Sequence, residues 1–189
     1  MVFIYDIQKE NTIIRLPLSA IFGELIIDWG DNTTTNDLIH NYITIGIYTI
    51  KISSKFIDTE IGRIGLDSTA QGIQYLIAVE SWGNFNTTSM QKAFASAKNL
   101  IRVPNTLPTK IKNIRGMFSD TLLFNQDISD WDVSNVSNMA MTFYCAKSFN
   151  QNLDKWDMTN VTTIDGMFLG ATNFTQDTSS WKIKCRFTK

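Results

Sequence analysis

The chain falls into two stretches with different rhythms of apolar and polar positions. In the first, β-branched or aromatic runs at Thr12–Leu18, Glu24–Trp29 and Ile47–Ser53 are punctuated by Gly23, Gly30-Asp31-Asn32 and Gly46. Short runs of this kind between turn residues predict strands. Residues 1–60 are therefore expected to form a small antiparallel β-sandwich, complete or partial. Residues 61–89 lead onward without a Pro/Ser-rich linker and end in a half repeat.

The second stretch, residues 90–189, repeats itself. Phe124-Asn125-Gln126-Asp127 returns as Phe149-Asn150-Gln151-Asn152 and as Phe174-Thr175-Gln176-Asp177, each step being 25 residues. Trp131, Trp156 and Trp181 keep the same step, as do Phe118, Phe143 and Phe168, and the pairs Val136/Val161 and Asn135/Asn160. Weaker copies run upstream through Trp82, Asn86, Met90 and Phe94, which places four repeats with starts near Met90, Ile114, Met139 and Ile164. A period of 25 is that of leucine-rich-repeat coils, in which stacking neighbours merge isolated apolar positions into buried columns.

The expected fold class is thus α+β: the sandwich, then a short leucine-rich-repeat-type right-handed solenoid of about four coils. Alternation predicts strands at Ile128–Trp131 and Leu153–Trp156. The i, i+4 apolar pairs predict helical turns at Met139–Phe143 and Ile164–Phe168, with Ser137/Asn138 and Thr162/Thr163 as N-caps. Trp131, Trp156, Trp181, Val136, Val161, Met139, Ile164, Phe118, Phe143 and Phe168 are the expected repeat core. Asn135 and Asn160 are expected to form a ladder that bonds backbone at the bend.

Composition narrows the functional classes. A hydrophobic content of 43% with 19% charged residues fits a folded domain. No apolar run approaches the roughly 20 residues of a membrane-spanning helix, and no secretory signal is visible. Residues 1–80 carry five Lys/Arg against ten Asp/Glu, and residues 81–189 twelve against eight. Four of those twelve (Lys182, Lys184, Arg186, Lys189) form a basic tail, so no basic face suited to nucleic acid is expected. Cys145 and Cys185 occupy different phases of the repeat, 1.6 coils apart, and are expected to be free thiols.

Catalytic chemistry has few candidates. His40 is the single histidine, which leaves no two-histidine metal site. No Gly-x-Ser-x-Gly elbow, phosphate-binding loop or dinucleotide fingerprint occurs. His40 reads as part of a sandwich turn, and Asp28, Asp31 and Asp37 as Asx-turn residues in preference to calcium ligands. No catalytic, cofactor-binding or metal-binding residue is assigned, and no cofactor is expected. The sequons at Asn86, Asn135 and Asn160 follow from the repeat's own asparagine, and two more start at Asn32 and Asn173.

The repeat Phe-Asn-Gln-Asp-Ile-Ser-x-Trp-Asp-Val-Ser-Asn-Val-x-x-Met-x-x-x-Phe resembles that of BspA-like leucine-rich-repeat surface proteins of mycoplasmas and other host-associated microbes. Asp28-Trp29-Gly30-Asp31 with His40-x-Tyr42 and Gly46-x-Tyr48 is similar to the PKD-like β-sandwich that precedes such repeats. Trp82-Gly83 resembles the start of the first coil. The resemblance implies adhesion or interaction at a cell surface, although members usually carry a leader.

The expected function is a non-enzymatic macromolecular binding or adhesion module whose partner is a protein or a glycan. Polar positions that vary between coils (Ser129/Asp130, Asp154/Lys155 and Ser179/Ser180) are the candidate interaction face. A self-assembling surface or particle component is one alternative. A carbohydrate-binding module using the three repeat tryptophans as a ladder is the other.

Overall fold

The structure is a computed structural model that describes residues 1–55, 60–65, 71–181 and 183. Strands β1 (Val2–Ile7), β2 (Thr12–Arg15), β3 (Leu18–Phe22), β4 (Leu25–Asp28) and β5 (Thr34–Thr35) come first. They are followed by β6 (Ile39–Tyr42), β7 (Gly46–Ser54), β8 (Glu60–Ile64) and β9 (Leu76–Ser81). One five-stranded antiparallel sheet has the order β5-β4-β7-β1-β9, and β2-β6 and β3-β8 form two-stranded sheets. Alternation along β1 buries Phe3, Tyr5 and Ile7, which meet Ile14, Leu18, Tyr42 and Ile64 in one apolar core. Pro17 divides the predicted run Thr12–Leu18 between β2 and β3, because it has no N–H for a ladder. The sheet takes its last strand, β9, from residues 76–81, through pairing with β1.

The repeats continue the edges of this sandwich. Arg63 on β8 forms a parallel bridge with Ser89, and the ladder runs on through Asn113, Asn138 and Thr163. Beside it, Ala78 on β9 bridges Arg102, and Val103 exchanges two hydrogen bonds with the Gln126 side-chain amide (2.7 and 2.9 Å). Two sheet edges that would otherwise expose unpaired backbone groups are thereby covered.

Each repeat uses its backbone in alternation. Met139, Met141, Phe143 and Cys145 donate their N–H groups to Thr163, Asp165, Met167 and Leu169 of the next repeat, at 2.9–3.0 Å. The intervening Thr142, Tyr144 and Ala146 donate to the carbonyls of Met139, Met141 and Phe143, three residues back. The same scheme links Met90, Lys92, Phe94 and Ser96 to the second repeat, and Ile114, Gly116, Phe118 and Asp120 to the third. To hold it, the chain turns left-handed at two positions per repeat, with φ between 54° and 78° at Lys92/Ser96, Gly116/Asp120, Met141/Cys145 and Gly166/Gly170.

This overturns the α+β leucine-rich-repeat solenoid. An α-helix sends every N–H to the carbonyl four residues back, whereas here half of them leave along the stack. The left-handed residues break any helix, and each costs a non-glycine side chain about 1–2 kcal/mol. Met139–Phe143 and Ile164–Phe168 are successions of turns, and the sole helical element among the described residues is a 3-10 turn at Ile73–Tyr75. Ile128–Trp131 and Leu153–Trp156 are not strands either: Trp131 and Trp156 donate to the carbonyls of Ile128 and Leu153, closing turns at 3.1 and 3.0 Å. A four-residue apolar spacing mimics a helix because two consecutive turns also advance the chain by four residues.

Side chains of equivalent positions stand above one another. Phe118, Phe143 and Phe168 stack at 5.6 Å steps, and Phe124, Phe149 and Phe174 at 6.0 and 6.2 Å. Within each repeat the two rings also face each other, Phe143 on Phe149 at 3.9 Å and Phe168 on Phe174 at 3.7 Å. Such stacked rings add to the energy of burying their area.

Candidate interaction surface

In the sandwich, the residues with the most chemistry are committed to one another. Gly30 takes φ 80° in the tight turn after β4, where a Cβ would lie 2.7 Å from the Thr49 carbonyl oxygen. Asp28 accepts the Gly30 N–H at 2.9 Å, and Asp31 accepts both the N–H and the hydroxyl of Thr33. His40 Nε2 lies 2.7 Å from the other Asp31 oxygen, and its ring stacks on Trp29 at 4.8 Å. Tyr42 donates its hydroxyl to the Trp29 carbonyl, and Trp29 its indole N–H to Thr35. Burial raises the Asp31 pKa, but hydrogen bonds from Thr33 and His40 outweigh it and hold the carboxyl below its ordinary value. Burial pushes the Tyr42 and Tyr5 phenols far up. This is the geometry of a hydrogen-bonded turn in which His40 Nε2 is engaged by Asp31. Among the described residues, no three His, Cys, Asp or Glu side chains stand together as a metal site, and no helix is long and apolar enough to cross a membrane.

In the repeats, Trp131 and Trp156 are buried, 2% and 4% exposed, and Trp181 is half-buried. Each indole lies against the phenylalanine of its own repeat at 5.9–6.4 Å, on Phe118, Phe143 and Phe168. The indole N–H groups of Trp131 and Trp156 donate to the carbonyls of Pro104 and Ile128, one repeat back. Sugar stacking requires an open indole face, which Trp131 and Trp156 lack. Val136, Val161, Met139, Phe118 and Phe143 are buried, whereas Ile164 and Phe168 are half-buried.

The polar motif residues are also engaged between repeats. Asn125 accepts the Asn150 N–H at 2.9 Å, Asn150 accepts the Thr175 N–H at 3.0 Å, and Gln151 and Gln176 donate to those same asparagines. Asn135 and Asn160 donate to the carbonyls of Thr109 and Ser134 at 3.1 and 2.8 Å, from exposed positions on the stack. Asn138 and Asn113 accept the N–H two residues on, so the expected cap position begins a turn. Asp127, Asp132, Asp157 and Asp177 do the same, and these bonds, which favour the carboxylate, lower their pKa values. Cys145 is a free, half-buried thiol; Cys185 and the four basic residues of the tail lie outside the described residues.

What remains open on this flank is the set of positions that differ between repeats. Asp130, Asp154, Lys155, Ser179 and Ser180 are exposed and Ser129 is half-buried. Lys155 reaches back one repeat to Asp130 at 2.7 Å, and this carboxylate raises the lysine pKa. Asn152 bonds to Asp154. Sequence patterns did not single out the shallow groove lined by Ile101, Arg102, Leu123, Asn125 and Gln126, where Ile101 and Leu123 are half open to solvent and Arg102 pairs with Glu80.

Fold and surface together define a β-sandwich bearing a stack of 25-residue turn repeats. Residues 88–187 match the family described as Mycoplasma protein of unknown function, DUF285, and the chain belongs to that family. No curated protein and no solved structure matches it.

Proposed function

We propose that the protein is a non-enzymatic binding module that recognises a protein partner through the repeat flank carrying Ser129, Asp130, Asp154, Lys155, Ser179 and Ser180. One observation carries this reading: most of the apolar and amide side chains that recur every 25 residues are buried or bonded between repeats, while five of the six flank residues, which change from repeat to repeat, are exposed and Ser129 is half-buried. A stack of this kind presents such residues as an extended surface, a common recognition device of repeat proteins. The likeness of the repeat to BspA-like surface proteins supports adhesion as the setting. Buried Trp131 and Trp156 favour a protein partner over a glycan.

The test is a binding screen of the whole protein against arrayed extracellular proteins and arrayed glycans. The triple variant Asp130→Lys, Asp154→Lys, Lys155→Glu is screened in parallel. Binding to a protein feature that the variant weakens tenfold or more, with its melting temperature unchanged, is the expected result. Binding to glycans alone, or equal binding by the variant, contradicts the proposal.

A further inference from the structure

The first repeat differs in charge from its sisters at one level of the stack. The parallel bridges Ser89–Asn113, Asn113–Asn138 and Asn138–Thr163 set the register between levels. In that register Asn86-Thr87-Thr88, Asn135-Val136-Ser137 and Asn160-Val161-Thr162 are equivalent, and the first repeat has Lys110-Ile111-Lys112 in their place. Leu107, which is buried, stands where the next two repeats have Asp132 and Asp157. Two cations are gained and a carboxylate is lost.

Both lysines line a cavity of about 350 Å³, together with Thr88, Thr109 and Asn135, and no carboxylate lines it. Backbone bonds fix its walls: Lys112 N–H donates to the Thr88 carbonyl at 2.8 Å, and Ser137 N–H to the Lys112 carbonyl at 2.9 Å. The Lys110 ammonium donates to the Asn86 side-chain carbonyl at 2.7 Å, a neutral partner that leaves its charge uncancelled. Among the described residues neither lysine has an ion-pair partner, and the Lys112 ammonium and the Thr88 and Thr109 hydroxyls have no hydrogen-bond partner. Lys55, Arg102 and Lys155, by contrast, are paired with Glu24, Glu80 and Asp130.

We propose that this cavity binds a phosphate or sulfate group. A cleft lined by charges of one sign focuses the field and concentrates counter-ions. Lysine meets an anion as a point charge with three donors, whereas a planar carboxylate is matched best by the arginine fork, which the cavity lacks. Two ammonium groups, two hydroxyls and the second N–H of the Asn135 amide supply donors to the several oxygens of a tetrahedral anion. The volume lies near the lower end of small-ligand sites, roughly 300–1,000 Å³, which leaves room beside the anion for a body the size of a sugar ring. None of these residues belongs to the flank, so the inference stands whether or not the flank reading does.

The test is an NMR titration of the isotope-labelled whole protein in about 0.15 M sodium chloride, where attraction between exposed charges is largely screened. Inorganic phosphate, inorganic sulfate and glucose-6-phosphate are the probes; glucose and the dicarboxylate succinate are the controls. Saturable shifts of the Lys110, Lys112 and Asn135 amides, with a dissociation constant of about 1 mM or below, are expected from at least one probe and from neither control. Tightest binding of glucose-6-phosphate supports the proposal and identifies an ester as the ligand; tightest binding of an inorganic ion supports it and identifies the free anion. The double variant Lys110→Asn, Lys112→Thr restores residue types that sister repeats carry at these positions, and should weaken binding at least tenfold with the Phe118 and Phe143 resonances unchanged. Lys147→Gln, exposed at another phase of the repeat, should leave binding as it was. Four results overturn the proposal: no saturation by any probe at about 10 mM, shifts of the same amides by succinate or glucose as strong as those by the probes, binding that survives the double variant, or equal weakening by Lys147→Gln.

Discussion

The sandwich and the repeats solve one problem, covering apolar surface, by opposite means. The sandwich relies on a unique knot in which Trp29, His40, Tyr42, Asp31 and Thr35 each have different partners. In the repeats a single contact is copied, ring over ring and amide over carbonyl, along the stack. A knot concentrates stability in a few side chains, whereas a stack spreads it over nearest-neighbour interfaces and leaves its last member half covered. Position in the array should therefore matter in the repeats, and chemical identity in the sandwich.

The largest effects are expected from removing a central ring in either region. Trp29→Ala and Phe143→Ala should each cost about 3–5 kcal/mol in denaturant unfolding, as usual for buried aromatic residues. Phe168→Ala deletes the same side chain one repeat later, from a half-buried site, and should cost about half as much. Equal losses for the two phenylalanines would break the account of an open end.

Next come the left-handed glycines of the fourth repeat. A Cβ at Gly170 would meet Cys145 Sγ at 2.7 Å, whereas at Gly166 the nearest atom is Met141 Cγ at 3.7 Å. Gly166→Ala should therefore show the backbone cost alone, about 1 kcal/mol, and Gly170→Ala roughly twice that. Thermal unfolding of the two variants gives the ranking.

In the sandwich, Asp31→Asn should lose about 1–2 kcal/mol at neutral pH, the worth of its charge-assisted hydrogen bonds. Because the folded carboxyl has the lower pKa, its contribution is complete above the unfolded value, about 3.9, and is lost as pH falls through the folded one. Unfolding curves of the two proteins should thus converge below about pH 4. A gap that persists in acid would mean that shape, not charge, holds the turn.

The smallest expected effect has the opposite sign. Met141 sits at φ 57° where the second and fourth repeats have Gly116 and Gly166, and it is 40% exposed. Met141→Gly should relieve backbone strain and stabilise by about 1 kcal/mol or less.

These glycines also show what the sequence made legible. Residues at the 25-residue phase are buried at Trp131, Trp156, Val136, Val161, Met139, Phe118 and Phe143 and half-buried at Ile164, Phe168 and Trp181, and β-branched runs coincide with β2, β4 and β7. Local patterning does not reveal that β9 pairs with β1 or that Arg63 bridges Ser89, because those contacts join residues 26 or more positions apart. The helix expected at Met139–Phe143 failed for a definite reason: its apolar spacing is shared by helices and by successive turns. The discriminating signal was present in Gly116 and Gly166, which recur at one phase where an α-helix would tolerate glycine poorly, and in Gly170 four residues later. The interaction flank was accessible to sequence reading only as the residues that the repeat does not fix.

Equivalent residues stand in register from one repeat to the next. Nuclear Overhauser spectroscopy on the aromatic rings tests it most directly. Cross-peaks between Phe118 and Phe143 and between Phe143 and Phe168, each pair 25 residues apart, are the predicted result. Ring contacts confined to partners within the same repeat would contradict it.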